Sequence, residues 1–262
     1  MQFGAMNFPV HPVATAIDTC GELGFDYLEL TLDPPQAHHS LIREQKTEIS
    51  EALKQRRMGL MGHLPTFVHI ADLTESIRAA SVEEMCRSVE VCADLGMEKA
   101  VLHPGHIKGM GTFVSDMALG HAYESLAAVA ETAASAGVVL CAENMPPNCH
   151  AFVEPEDFAP LFKRFPAFRM TLDVGHANIG DKTGGRAPAF IRRFGDRIDH
   201  LHLSDNKGKR DDHIRLGKGA VDLRRIVGAL KDIGYDKTAT LEIFSDDISD
   251  LKASLSYIRA LI

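Results

Sequence analysis

The stretch Asp199 to Gly219, DHLHLSDNKGKRDDHIRLGKG, carries His200, His202 and His213, with Asp211 two residues before the last of them. Imidazole and carboxylate at this density are the donor types that hold zinc or manganese. The first part reads as a strand, with Ile198, His200, His202 and Ser204 on one face and Leu201 and Leu203 on the other. A basic loop follows, and then an amphipathic helix from about Leu223. One such stretch is weak evidence of a site, so the endings of the other strands decide the matter.

Six strands end on a residue able to bind metal: His63, His103, Glu143, Asp173, His202 and Glu242. Their spacings are 40, 40, 30, 29 and 40 residues, about one strand-helix unit each. Period-2 alternation points Met61/His63, Val101/His103, Cys141/Glu143, Thr171/Asp173 and Thr240/Glu242 inward. It points Leu60, Leu102, Leu140, Leu172 and Leu241 toward helices. Three bare carboxylates brought together would repel, and a cation relieves that. His176, three residues past Asp173, can reach the same centre, as can Asp211 and His213 from the loop after the seventh strand.

Those residues need a scaffold that brings strand ends together. Strands are expected around Phe3 to Met6, at Tyr27 to Thr31, in LMGHLP, at Ala100 to His103, and in VVLCAEN, FRMTLDVGH, the Asp199 stretch and TATLEIF. Helices are expected between them. One runs through Ile17 and Leu23 to Gly24, one covers Ile42 to Arg57, and Ser81 with Glu84 reads as a capping box for the next. The others fall at Ser115 to Ala136, Asp157 to Phe165, Ala187 to Phe194, Leu223 to Ile233 behind Asp222, and Leu251 to Leu261. Eight such units in 262 residues predict a single (β/α)8 TIM barrel over 1–262, with its site at the C-terminal mouth. A doubly wound open sheet is the alternative, but it would place ligands at one switch point only.

In combination, HLP at His63, LHPG at His103, AEN at Glu143, LDVGHAN at Asp173 and His176, HLHLSD at His202, D-x-H before LGKG, and LEIF at Glu242 resemble the xylose isomerase-like barrel superfamily. Within it the pattern is similar to family-2 apurinic endonucleases of the endonuclease-IV type. That resemblance implies three zinc ions and nine ligands: His63, His103, Glu143, Asp173, His176, His202, Asp211, His213 and Glu242. Sugar isomerases and epimerases of the superfamily share the smaller set Glu143, Asp173, His202 and Glu242, usually around one divalent ion. The seventh loop is shorter than the endonucleases' loop. TLDPPQAHHS also lacks arginine where those enzymes carry DNA-contacting residues.

The sequence therefore predicts one to three divalent ions, zinc or manganese, and a metal-dependent isomerase or epimerase of a small sugar or sugar phosphate. Glu143, Glu242 and His176 are the catalytic candidates. Phosphodiester cleavage at an abasic site is the alternative, and a non-catalytic metal-dependent binding protein the third reading. Substrate-contact candidates are Lys207, Lys209, Arg210 and Arg215 on the loop, with Lys218 beside them, and His69, His106 and Glu29. His200 reads as support one layer deeper. Phe67 and Val68 read as buried loop anchors, with a DNA wedge as the other use, and His11, His38, His39, His121 and His150 as surface or loop residues. A formal net charge of -8 argues against a broad polyanion-binding face, so DNA is the less favoured partner. Five cysteines without C-x-x-C fit a reduced, cytoplasmic protein, and no apolar run spans a membrane. The sequence does not specify an oligomeric state.

Overall fold

Strand and helix alternate along the whole chain in the computed structural model, which describes residues 1–262. The order is β1 (Gln2–Met6), α1 (Val13–Leu23), β2 (Tyr27–Thr31), α2 (His39–Glu44), α3 (Lys46–Arg56), β3 (Gly59–His63), α4 (Glu75–Asp94), β4 (Lys99–Leu102) and α5 (Ser115–Ala136). It continues with β5 (Val139–Glu143), α6 (Pro155–Arg164), β6 (Arg169–Asp173), α7 (Val174–Asn178), α8 (Arg186–Phe194), β7 (Ile198–Leu203), α9 (Leu223–Asp232), β8 (Thr238–Leu241) and α10 (Ile248–Leu261). The strands are parallel and follow one another around a closed barrel, which β1 completes by pairing with β8 from Gln2↔Thr238 to Ala5↔Leu241. This is the predicted (β/α)8 barrel, and the open sheet is excluded.

Strands buried on both faces read as continuous apolar runs because each face meets a different core. Leu28, Leu102, Leu140, Leu172, Leu201 and Leu241 pack outward in the large core between barrel and helices. Tyr27, Met61 and Val101 fill the interior beneath the mouth. Gly137 ends α5 in the left-handed region at φ 72°, where a Cβ would be strained. Asp222 caps α9 by accepting from Arg225 N. No helix is long and apolar enough to cross a membrane. All five cysteines are free, and burial pushes Cys20, Cys92 and Cys141 up to about 12.

Three local expectations are corrected. The helix expected over Ile42 to Arg57 is two helices that meet at Gln45. Ser81 caps nothing, because α4 already begins at Glu75; its hydroxyl donates to Ile77 O and accepts from His69 N, pinning the loop after β3. Ile198 faces the outer core rather than the interior. Met170 pairs with Ile198 and Thr171 with His200, so Asp199 is an extra residue in β7 that reverses the alternation before it.

Candidate active site

Parallel strands in a barrel finish on one rim, so residues far apart in sequence meet there. His63, Glu143 and Asp173 are the last residues of β3, β5 and β6, His202 lies one residue before the end of β7, and His103 and Glu242 directly follow β4 and β8. His176 arrives on α7, which Asp173 caps by accepting from His176 N at 2.6 Å. Asp211 and His213 turn in from the loop after β7, where His213 takes a left-handed backbone at φ 44°. The structure therefore brings all nine candidate metal ligands to one end of the barrel.

Glu143 is central. Its Oε1 lies 3.2 Å from both His202 Nδ1 and His176 Nδ1, and its Oε2 lies 3.2 Å from His103 Nε2 and 3.7 Å from His63 Nε2. Glu242 Oε1 is also 3.3 Å from His202 Nδ1. Asp211 Oδ2 joins His176 Nε2 at 3.0 Å and His213 Nε2 at 2.8 Å. Donor atoms of Glu143, Asp173, His202 and Glu242 all lie within 4.8 Å of one another, as do those of His63, Glu143 and His202.

Two features make this a metal-competent cluster rather than a packed polar core. First, Glu143 Oε2, Asp173 Oδ2 and Asp211 Oδ1 are buried without a hydrogen bond. Buried polar atoms are rarely left so. Second, four of the five histidines have one ring nitrogen facing a backbone carbonyl or the deeper Glu29. His63 Nδ1 faces Leu64 O at 2.8 Å, His176 Nδ1 faces Asn144 O at 2.9 Å, and His213 Nδ1 faces Glu242 O at 3.2 Å. His202 Nε2 faces Glu29 Oε1 at 2.9 Å. Donation through those nitrogens leaves the other lone pair aimed into the cluster, as outer hydrogen bonds orient metal-binding imidazoles.

The electrostatics agree. Burial, with Glu242 and Glu143 adding to it against the pull of His176, pushes Asp173 up to about 8. Burial opposes ionisation of Glu143 too, but His202 and His103 hold it well below the usual carboxylate range. Against its own burial, the hydrogen bond to Asp211 lifts His213 to about 9. A divalent ion would take over the neutralising role that these mismatched protonations fill.

The substrate-contact candidates fare differently. The cavity at the mouth, about 200 Å³, is lined by His63, His103, Glu143, His176, Asp211, His213 and Glu242, with Asn7, Phe8, Thr31, Asp33, Thr66, Phe67 and Phe244 among the rest. Lys207, Lys209, Arg210, Arg215 and Lys218 are not among its lining residues. Asp205 accepts from the Gly217, Gly219 and Val221 amides, and this fold of the loop turns Asp211 and His213 in. Lys207, Lys209, Arg210 and Lys218 stay in solvent, and Arg215 faces Asp250 at 3.8 Å. His69 and His106 flank the mouth without lining the cavity, and burial, helped by Lys108, depresses His106 to about 4. Glu29 lies beneath the mouth rather than in it, held by His200 Nε2 and His202 Nε2 at 2.9 Å each and by the Thr240 hydroxyl. Phe67 is 78% exposed at the rim, so it is no buried anchor, whereas Val68 does pack on the core.

Sequence reasoning missed Asp33, whose carboxylate accepts from Thr31 Oγ1 at 2.6 Å and Thr66 N at 3.1 Å at the cavity wall. Its position two residues past a strand end was the available signal. It also missed Asn144, which holds the Asp173 backbone at both N and O and so fixes β5 against β6 at the cluster.

A sequence model described as "Xylose isomerase-like TIM barrel" matches residues 17–261, and the chain belongs to that family. It is 27% identical over 242 residues to L-ribulose 3-epimerase of Mesorhizobium japonicum, covering 87% of this chain and 74% of that one. It is 20% identical over 260 residues to a probable endonuclease 4 of Mycobacterium tuberculosis, covering 89% and 90%. Among solved structures, a D-tagatose 3-epimerase-like protein superposes with a TM-score of 0.83 at 24% identity, covering 99% of both chains.

Proposed function

We propose that the protein is a divalent-metal-dependent isomerase or epimerase of a small sugar or sugar phosphate. The observation that carries this reading is the pair Glu143 and Glu242, which come from two different strand ends, β5 and β8, and both reach His202 Nδ1, at 3.2 and 3.3 Å. Two carboxylates flanking one bound carbon can take a proton from one face and return a proton to the other. An ion held by Glu143, Asp173, His202 and Glu242 would supply polarisation of a carbonyl and its neighbouring hydroxyl. One glutamate accepts the proton on the carbon next to the carbonyl, and the electron pair moves into an enediolate. The other donates a proton to the opposite face, so the substrate's composition is unchanged and one stereocentre is inverted. Asp33 and Asn7 on the wall are acceptors and donors suited to hydroxyl groups. The cavity of about 200 Å³ lies below the ~300–1,000 Å³ of drug-sized sites, which favours a small substrate.

A second reading, phosphoester cleavage on a three-ion centre, draws on the convergence of all nine ligands, since a single ion held by four leaves His63, His103, His176, Asp211 and His213 outside its ligand set. Against a DNA substrate stand the Asp33 carboxylate at the cavity and the loop cations outside it. The deciding experiment assays ketoses and sugar phosphates beside an abasic-site duplex, with metal counted per chain. Epimerisation with deuterium uptake from solvent at one carbon, reduced about 10²–10⁴-fold in kcat by Glu242→Gln, is expected. Metal-dependent incision of the duplex at enzyme-like rates, with three ions per chain, would overturn this ordering in favour of the second reading.

A further inference from the structure

A second cluster of metal-binding side chains sits on the outer wall of the barrel, where α2 meets α4. His38 and His39 open α2, and Glu84 projects from the middle of α4. His38 Nε2 and His39 Nε2 each lie 3.1 Å from the same atom, Glu84 Oε2. Ligands of a tetrahedral zinc ion at ~2.0–2.1 Å stand about 3.3 Å apart, so both nitrogen–oxygen separations already match it, and the donor atoms of the three residues all lie within 4.8 Å of one another. The two rings approach to 4.0 Å between centroids, a close contact for imidazoles that would repel if both were charged.

A simple polar clasp between helices would account for His38 but not for His39. His39 is 5% exposed, and neither of its ring nitrogens makes a hydrogen bond, although Nε2 lies 3.1 Å from the carboxylate. A buried imidazole without a partner on either nitrogen is costly, and a metal ion supplies the missing partner. His38 Nδ1 stands 2.8 Å from the Ser40 hydroxyl. Donation there frees the Nε2 lone pair, and the longer 3.4 Å contact from Ser40 N belongs to the other tautomer. Nearby guanidiniums do not neutralise Glu84: Arg87 is engaged by Glu83, and Arg43 by Glu90 and Asp94.

We propose that His38, His39 and Glu84 form a second metal site, selective for zinc-class divalent ions and independent of the mouth. Its two nitrogens and one oxygen leave a fourth position for water, since Glu84 is partly exposed. The ion clasps α2 to α4 and steadies the β2–α2 connection, which carries Asp33 to the cavity wall.

The test is positional. Crystals of the full-length chain grown with zinc are measured at the zinc absorption edge, and equilibrium dialysis counts bound zinc in wild type, His39→Ala and Glu84→Gln. An anomalous peak about 2.0–2.2 Å from His38 Nε2, His39 Nε2 and a Glu84 oxygen is expected. Bound zinc should fall by one ion per chain in both variants, with turnover retained. Because Glu84 lies at the surface, Glu84→Gln reports even where His39→Ala disturbs folding. Zinc at the mouth with no peak between α2 and α4, or equal stoichiometry in wild type and Glu84→Gln, overturns the proposal.

Discussion

Glu29 shows how a residue outside the cavity can govern one within it. It is fully buried, yet His202 and His200 hold it ionised against the cost of burial. Its contact with His202 Nε2 turns Nδ1 toward Glu143 and Glu242. From His200 the chain of contacts continues through Thr238 Oγ1 to Lys99 at the far end of the barrel. Removing one partner from a buried ion pair strands the other. Glu29→Gln should therefore weaken metal binding about 10–100-fold while leaving every mouth residue in place. Competition with a chelator measures this, and an affinity equal to wild type would show that His202 needs no such support.

Among the elements, the loop after β7 has the most demanding local design. Asp205 gathers the amides of Gly217, Gly219 and Val221, and Asn206 binds Gly175 O and Gly208 N, so the loop folds around two buried side chains. A Cβ at Gly219 would overlap Asp205 Oδ1 and the Asn206 carbonyl oxygen. Gly219→Ala should displace Asp211 and His213 and lower kcat, while the melting temperature changes by only a few degrees. Activity at the wild-type level would mean that these two residues do not serve the reaction. At the head of α8, Asp181 accepts from Arg186 N and Thr183, which outweighs its partial burial and holds it at about 2. Its folded value lies below the ~3.9 of an unfolded aspartate, so its stabilisation is full above that value and lost as pH falls toward 2. Asp181→Asn should flatten that part of an acid-unfolding curve, and an unchanged curve between pH 4 and 2 would refute the assignment.

Across the whole molecule, the mouth cluster draws on six strands, one short helix and one loop, so an ion there would join side chains from all of them at one point. Binding to the folded state alone stabilises by about 2.7 kcal/mol at a hundredfold excess over Kd. For a barrel of this length that is roughly 5–10 °C in Tm. Chelation should lower the melting temperature by that order, and Glu143→Ala should lower it alike and abolish the response to chelator. A chelator-insensitive Tm in protein shown to contain metal would contradict this coupling. The mouth has an apolar rim as well: Phe8, Phe67 and Phe244 are exposed around an otherwise polar cavity.

The sequence by itself determined the barrel, because eight apolar runs at regular spacing, each flanked by a helical pattern, have few other ways to bury both faces. It also determined the position of the cluster: alternation of period two sets which strand-end side chains point inward, and that rule is local. His63, Glu143, Asp173 and Glu242 were legible for this reason. Tertiary structure decided what local rules cannot reach. The extra residue at Asp199 reversed Ile198, since a bulge depends on the partner strand's register. Lys207, Lys209, Arg210 and Arg215 were kept out of the cavity by the amides that Asp205 gathers, a fold set by contacts within the loop rather than by composition. Phe67 was left in solvent and His39 was buried against Glu84, 45 residues away in sequence, because each depends on which distant helix or loop packs beside it. Period and propensity carry information along a strand or a helix turn; side-chain surroundings are set by neighbours that only the closed barrel brings together.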